Sequence, residues 1–375
     1  TLDNLKRAAQ LINEAERPVI IAGHGVLASG AVSELQDLAE TTGIPVINTL
    51  LGLSSFPRNH PLSLGMLGMH GMYWANMVVD QADLIVGMGM RFDDRVTGRV
   101  SGFAPHARII HLDIDPDQIG RNVPVEVPLV GDAKAALQVL VPQVKHVARQ
   151  SWMAHIDELR DKHPSLAIRP SDELQAQQVM SELNELLQDD KETIVVAGVG
   201  QHQMWAAQYL FFNKQNTFVT SGGLGTMGFE LPAAMGVQVG RPDVEVWGVV
   251  GDGGFQMTSQ ELATVAQENL PVKIALFNNG HLGMVRQWQE MFFQNHIKEV
   301  PLTGPEYVKL AQAYGISAVQ VSNQEDVMPA LRKAQSHDGP FLIEFVVEPE
   351  GNVFPMVPPG GSLGDTMEDP QTRLA

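Results

Sequence analysis

The chain of 375 residues has no cysteine, 25 basic residues against 43 acidic ones, and no apolar run near the length of a membrane span. Each shortage removes a class of function. Without cysteine there are no disulfides, no thiolate metal sites and no cysteine nucleophile. A formal charge of −18 and a pI near 5.0 give a surface that repels nucleic acid and anionic membrane, so neither is expected as a partner. A membrane span needs roughly 20 consecutive apolar residues, and the opening Thr1-Leu2-Asp3-Asn4-Leu5-Lys6-Arg7 lacks the apolar core of a signal peptide. The chain reads as soluble and intracellular, with the cytoplasm as the expected compartment.

What is present is an alternation of strand-like apolar runs with helical patterns. Runs at 19–22, 46–48, 84–86, 109–113, 194–197, 218–220, 245–250, 274–277 and 341–347 read as strands. That order predicts an α/β fold with two doubly wound parallel sheets, because one core cannot absorb a chain of this length. The expected domains are residues 1–145 and 176–347. A polar, helix-prone linker at 146–175 separates them, and a Pro- and Gly-rich tail at 348–375 is expected to pack over a site or fray.

Gly251-Asp252-Gly253 directly follows the apolar run 244–250, and Asn278-Asn279 ends the next strand. Glycines let backbone N–H groups approach phosphate oxygens, while Asp252 and an amide from the neighbouring strand offer hard oxygen ligands suited to Mg²⁺. Two further glycine loops end strands of the same half, Gly198-Val199-Gly200-Gln201-His202 and Gly222-Gly223-Leu224-Gly225-Thr226-Met227-Gly228. Three loops can then wrap one diphosphate, with Gln201 and His202 adding donors; plain tight turns are the simpler alternative. The GDG…NN pair resembles the metal and diphosphate anchor of the thiamine-diphosphate (ThDP) enzymes. The resemblance implies that Asp252, Asn279 and the carbonyl of His281 hold Mg²⁺. It also implies that Val199, Gly200, Gln201, His202, Gly225, Met227, Gly251, Gly253, Gly254 and Val285 contact ThDP.

In the first half, Gly23-His24-Gly25-Val26-Leu27-Ala28 matches G-x-G-x-x-[GA] at a strand-to-helix turn, but Asn48-Thr49-Leu50 replaces the acid that a nicotinamide site places after the second strand. Further strand ends carry Gly87-Met88-Gly89, Asp113-Ile114-Asp115 and Gly131-Asp132, which together suit one long ligand. Arg91, Arg95 and Arg99 are candidates for neutralising its phosphates, or else form surface ion pairs with Asp93 and Asp94. The Met-rich stretch 66–77 reads as core filling.

Leu67-Gly68-Met69-His70-Gly71 and Arg91-Phe92-Asp93-Asp94-Arg95-Val96-Thr97-Gly98 are similar to flavin-domain signatures of the acetohydroxyacid synthase (acetolactate synthase) catalytic subunits. That resemblance implies a central FAD-binding domain followed by a ThDP-binding one. The FAD contacts it implies are Gly23, Gly25, Thr49, Leu50, Leu67, Met69, His70, Gly89, Arg91, Asp93, Arg95, Asp113, Ile114 and Asp132. It further implies decarboxylation of pyruvate and carboligation to pyruvate or 2-ketobutyrate, in branched-chain amino acid synthesis. Met284 and Trp288 would wall the substrate pocket, and Arg95 would meet the acceptor carboxylate. A homodimer or homotetramer and a small regulatory subunit are the implied partners.

Two departures stand out. Glu230 occupies a position where the family usually has glycine. The family's N-terminal domain, which carries the activating glutamate, has no counterpart in this sequence, so a separate pyrimidine-domain chain or weak turnover is expected. Rival readings are a glyoxylate carboligase or pyruvate oxidase type of enzyme, or a non-catalytic cofactor-binding module.

Overall fold

The computed structural model describes residues 1–188 and 192–370, which form two compact units. The first comprises Thr1–Ala167, Phe212–Asn216 and the chain from Phe354 onward; the second comprises Ile168–Phe211 and Thr217–Val353.

In the first unit, β1 (Pro18–Ala22), β2 (Val46–Asn48), β3 (Ser63–Met66), β4 (Leu84–Met88), β5 (Arg108–Asp113) and β6 (Val127–Val130) form one sheet in the order β3-β2-β1-β4-β5-β6. Every pairing is parallel. Side chains alternate across a strand, and β1 shows the consequence. Ile20 and Ala22 join a core on one face with Val46, Leu84, Val86 and Ile110, while Val19 and Ile21 join a core on the other with Ile47, Ile85 and Ile109. A sheet buried on both faces explains why these strands read as continuous apolar runs.

The second unit repeats the plan with β7 (Thr193–Ala197), β8 (Phe218–Thr220), β9 (Glu245–Gly251), β10 (Lys273–Asn278), β11 (Ser317–Val321) and β12 (Phe341–Val346), in the order β11-β12-β10-β9-β7-β8, again all parallel. Chain order reverses between β7 and β9, and at such a switch point the loops leaving the carboxyl ends diverge and leave a crevice. Phe277 stands in register with Gly251 and Ala197 with Val249, so the turns after β7, β9 and β10 emerge side by side.

Nine strands agree with the sequence pattern to within a few residues. The other three are edge strands. β6 is marked in the sequence only by the Gly131-Asp132 turn that follows it and β3 by no apolar run, and each is a poor strand locally, with Pro128 in β6 and Gly65 in β3. β11 was not read at all, since only Val321 of its five residues is buried. The stretch read as a linker carries the helix Gln150–Lys162, whose Trp152 and Ile156 are buried in the first unit's core. Residues read as tail also pack there: the Val357 N–H donates to the Met69 carbonyl at 2.8 Å and the Arg99 N–H to that of Gly361 at 2.8 Å. The last five residues of that tail lie outside the described residues. No helix among the described residues is long and apolar enough to cross a membrane.

Leu276, fully buried in the centre of β10, tests the packing that presents the 278–281 turn. Leu276→Ala is expected to lower unfolding free energy by about 2–5 kcal/mol, read from urea denaturation of the whole chain. A loss near zero would contradict the close packing described.

Candidate functional site

β9 ends at Gly251, and Asp252 begins the helix Asp252–Thr258. Its side chain is 4% exposed and ties two turns together: Oδ1 accepts from the N–H of Gly253 at 2.8 Å, and Oδ2 from that of Gly280 at 2.9 Å. Gly280 sits in the turn after β10 with φ of 64°, a conformation that favours glycine. The same turn is held from β12, because Asn278 accepts from Gly280 at 3.1 Å while donating to Glu344 at 2.8 Å. Burial is the largest influence on Asp252 and pushes its pKa up to about 6, despite the N–H groups of Gly253 and Gly280.

An open cleft of about 590 Å³ lies over these turns. Its wall brings together Val199, Gly200, Gln201, His202, Met227, Gly251, Asp252, Gly253, Gly254, Asn279, His281, Met284 and Val285 from the sequence reading. It adds Trp205, Phe277, Leu282, Gly283 and Val347, which that reading did not name. Trp205 had a usable signal, lying one turn beyond Gln201 and His202 on the helix Gln201–Tyr209. Phe277 and Val347 had none, since they reach the cleft only because β10 and β12 are neighbours.

No lysine or arginine lines this cleft. The nearby Arg286 guanidinium is 3% exposed and bonds Glu290, the Gly351 carbonyl and the Asn352 side chain. Any positive charge offered to an anion in the cleft must come from a bound cation or from backbone N–H groups. Asp252, the Asn279 amide and main-chain carbonyls supply oxygen ligands of the kind Mg²⁺ takes. No group of three His, Cys, Asp or Glu side chains suited to a metal occurs among the described residues. A metal here would therefore depend on that mixed set.

Three expectations change. Gln201 was expected to donate to phosphate, but its amide nitrogen already bonds Gln287 at 3.0 Å and the Gly351 carbonyl at 2.8 Å, while its oxygen accepts from Asn279 at 3.3 Å. It orients Asn279 rather than a ligand. Trp288 does not line the cleft; it packs edge-on against Phe292 with ring centroids 5.5 Å apart. Gly225 also lies off the wall, in an exposed loop whose Leu224 is 95% exposed. His202 keeps its place, buried, with Nε2 unpartnered and burial lowering its pKa to about 4, so at neutral pH it is an uncharged imidazole.

Glu230, at the start of the helix Glu230–Gly240, is fully buried directly behind the glycine loops. A Cβ added to Gly198 would stand 2.5 Å from its carboxyl carbon, and one added to Gly254 would overlap its Oε1. Neither oxygen has a well-formed hydrogen bond, and burial pushes the pKa up to about 7 even though the N–H groups of Glu230 and Gly228 point toward it.

The first unit has its own cleft, of about 420 Å³, at the matching switch point between β1 and β4. Gly25, Gly89, Asp113, Ile114 and Asp132 line it, with Ala28, Ser29, Leu112, Gly131 and Ala133. The loops after β1 and β4 meet so closely that a Cβ on Gly25 would lie 2.5 Å from the Gly89 Cα. Asp113 and Asp132 each use one oxygen locally, accepting from Asp115 and Ala135 at 2.9 Å. The remaining expected flavin contacts, Gly23, Thr49, Leu50, Leu67, Met69, His70, Arg91, Asp93 and Arg95, do not line this cavity. Arg91 lies 3.8 Å from Asp93, and Arg95 donates to the Met69 sulfur at 3.1 Å.

A profile described as the thiamine pyrophosphate enzyme C-terminal TPP binding domain matches residues 198–345, and one for the central domain of thiamine pyrophosphate enzymes matches residues 5–140. The chain is 44% identical over 372 residues to the acetolactate synthase of Mycobacterium leprae, covering 96% of this chain and 59% of that protein. It is 45% identical over 373 residues to the acetolactate synthase large subunit of Corynebacterium glutamicum (96% and 59%) and 43% identical over 372 to a probable acetolactate synthase large subunit of Methanocaldococcus jannaschii (97% and 63%). The chain spans about three-fifths of the length of these curated relatives.

The buried carboxyl of Glu230 predicts a pH signature in stability. Its folded pKa of about 7 lies above the ordinary 4.5, so between those values the folded chain holds a proton that the unfolded chain releases. The wild type is expected to lose about 3 kcal/mol of stability as pH rises through that window, and Glu230→Gln to escape the loss. Urea midpoints at acid and alkaline pH check this; a wild-type-to-variant difference that does not change with pH would contradict it.

Proposed function

Because this chain belongs to the thiamine pyrophosphate enzymes, we propose that it is the FAD- and diphosphate-binding portion of an acetolactate synthase large subunit, working with ThDP, Mg²⁺ and FAD. The observation that carries the reading is the cleft lined by glycine loops and one buried carboxylate with no lysine or arginine, which suits an anion best when a cation arrives with it. Identity of 43–45% to proteins named acetolactate synthase supports the choice within the family.

In this proposal Asp252, Asn279 and the His281 carbonyl hold Mg²⁺, with Gln201 fixing the Asn279 amide. The N–H groups of the glycine loops face the diphosphate. Bound ThDP supplies a carbon nucleophile for the keto carbon of pyruvate and accepts the electrons left when CO₂ departs. The chain's residues bind, orient and exclude water: Met227, Leu282 and Met284 give the wall its apolar character, and His202, being uncharged, offers a hydrogen bond without drawing the metal's negative partners away. The acceptor is proposed to be pyruvate or 2-ketobutyrate. In the first unit the Gly25–Gly89 crevice, with Asp113 and Asp132 for hydroxyl groups, is proposed to take part of FAD. A homo-oligomer and a small regulatory subunit complete the proposal.

Calorimetry with ThDP and Mg²⁺ is expected to give saturable binding that Asp252→Ala weakens by at least about tenfold, an amount in line with losing a charged ligand (about 1.4 kcal/mol or more). Equal binding by both proteins would reject the anchor. FAD is expected to bind with a shifted flavin absorption band, and Gly25→Val to abolish the shift by forcing the Gly25 and Gly89 loops apart; an unchanged spectrum counts against the flavin site. Acetolactate formation from pyruvate, assayed with and without an added pyrimidine-binding domain, tests the activity itself.

A further inference from the structure

Glu230 is a charged residue type placed where a charge has no compensation. Its carboxyl group packs against the backbone of Gly198, in the turn after β7, and of Gly254, in the first turn of the helix Asp252–Thr258, and Gly228 of a third loop lies two residues away in sequence. The side chain is 0% exposed and both oxygens lack a well-formed hydrogen bond. The elements packed against its helix supply no cation. β7 and residues 221–229 carry no titratable side chain, the helix Asp252–Thr258 carries only Asp252, the following turn only Glu261, and β9 only Glu245 at its far end. His202, on the helix that follows the 198–200 loop, is neutral. No opposite charge contributes to the shift of Glu230; burial dominates it.

Resting on the proposed function, we propose that Glu230 serves as a protonated carboxylic acid behind the diphosphate cradle, and that loading of ThDP with Mg²⁺ is coupled to uptake of one proton by this side chain. The step balances simply: the carboxylate gains H⁺ from solvent, its O–H bond forms, and no covalent bond to the cofactor changes. The physical reason is electrostatic. A diphosphate brings negative charge against the loops that Glu230 touches, in a cleft whose wall has His202 and His281 but no lysine or arginine, and an uncompensated buried anion close to it is unfavourable. Binding therefore raises the proton affinity of the acid, and by linkage deprotonation weakens binding. The carboxyl is already poised near neutrality, at about 7, so the coupling acts in an accessible range. Glu230 is a positioning residue here, acting through the glycine loops.

The test is calorimetry of ThDP with saturating Mg²⁺ on the whole chain, from about pH 6 to pH 9 and in buffers of different ionisation enthalpy, for the wild type, Glu230→Gln and Glu230→Gly. Ionisations of ThDP and Asp252 are common to all three proteins, so the difference between them isolates Glu230. The wild type is expected to take up about one proton more than either variant, and its affinity to fall by up to about tenfold per pH unit relative to theirs above neutrality. Binding with the same proton count and pH profile in all three overturns the proposal but leaves the cofactor reading intact. Extra proton release by the wild type also overturns it, since that would mean the carboxylate meets the metal. No ThDP binding by the wild type at any pH overturns both. Should both variants fail to fold, proton uptake by the wild type at alkaline pH remains the deciding measurement: uptake supports the proposal, and none overturns it.

Discussion

The second unit's cleft depends on one hydrogen bond, from the Gly280 N–H to the Asp252 carboxylate at 2.9 Å. It joins the turn after β9 to the turn after β10. Parallel pairing already places the strand ends side by side, with Gly251 opposite Phe277, but register alone leaves the turns free to diverge. The carboxylate fixes them, and Asn278, itself anchored to Glu344 on β12, holds Gly280 from the other side. Three neighbouring strands thus fix one turn, and Asn279 and His281 inherit their positions from it. The arrangement leaves Asp252 as an anion in a buried place, which is the condition under which a cation binds usefully.

The chemistry of the cleft follows from what its wall omits. An acidic chain would be expected to gather arginines at an anion site, yet the guanidinium of Arg286, next in sequence to the cleft residue Val285, is occupied by Glu290, Gly351 and Asn352. Attraction is left to main-chain N–H groups and to whatever Asp252 and Asn279 hold. Such a site favours an anion that arrives with a metal over one that arrives alone.

The two units reach comparable solutions by different means. In each, the cavity opens where chain order reverses in an all-parallel six-stranded sheet. In the first unit, close approach of Gly25 and Gly89 strips side chains from the crevice, and the acids Asp113 and Asp132 stand at its rim. In the second, a buried side chain, Glu230, stands between the glycine turns. Similarity to the central and C-terminal domains of thiamine pyrophosphate enzymes accounts for the frame of the two units.

Local pattern was enough for the buried strands, because a strand covered on both faces must be apolar along its length; it was weak for β3 and β6 and silent for β11, whose edge positions relax that demand. The placement of Asp252 and Asn279 on one cleft wall was legible for a similar reason, since each directly follows a buried strand and the intervening chain allows one crossover. The sequence by itself therefore determined the fold class, the two sheets and the metal-anchor candidates. Only the tertiary structure decided that Gln201 turns to Asn279 instead of a phosphate, that Trp288 leaves the wall while Trp205 joins it, and that the Glu230 carboxyl lies against Gly198 and Gly254. Hydrogen-bond partners and burial depend on which loops fold against each other across dozens of residues, and no periodicity along the chain carries that information.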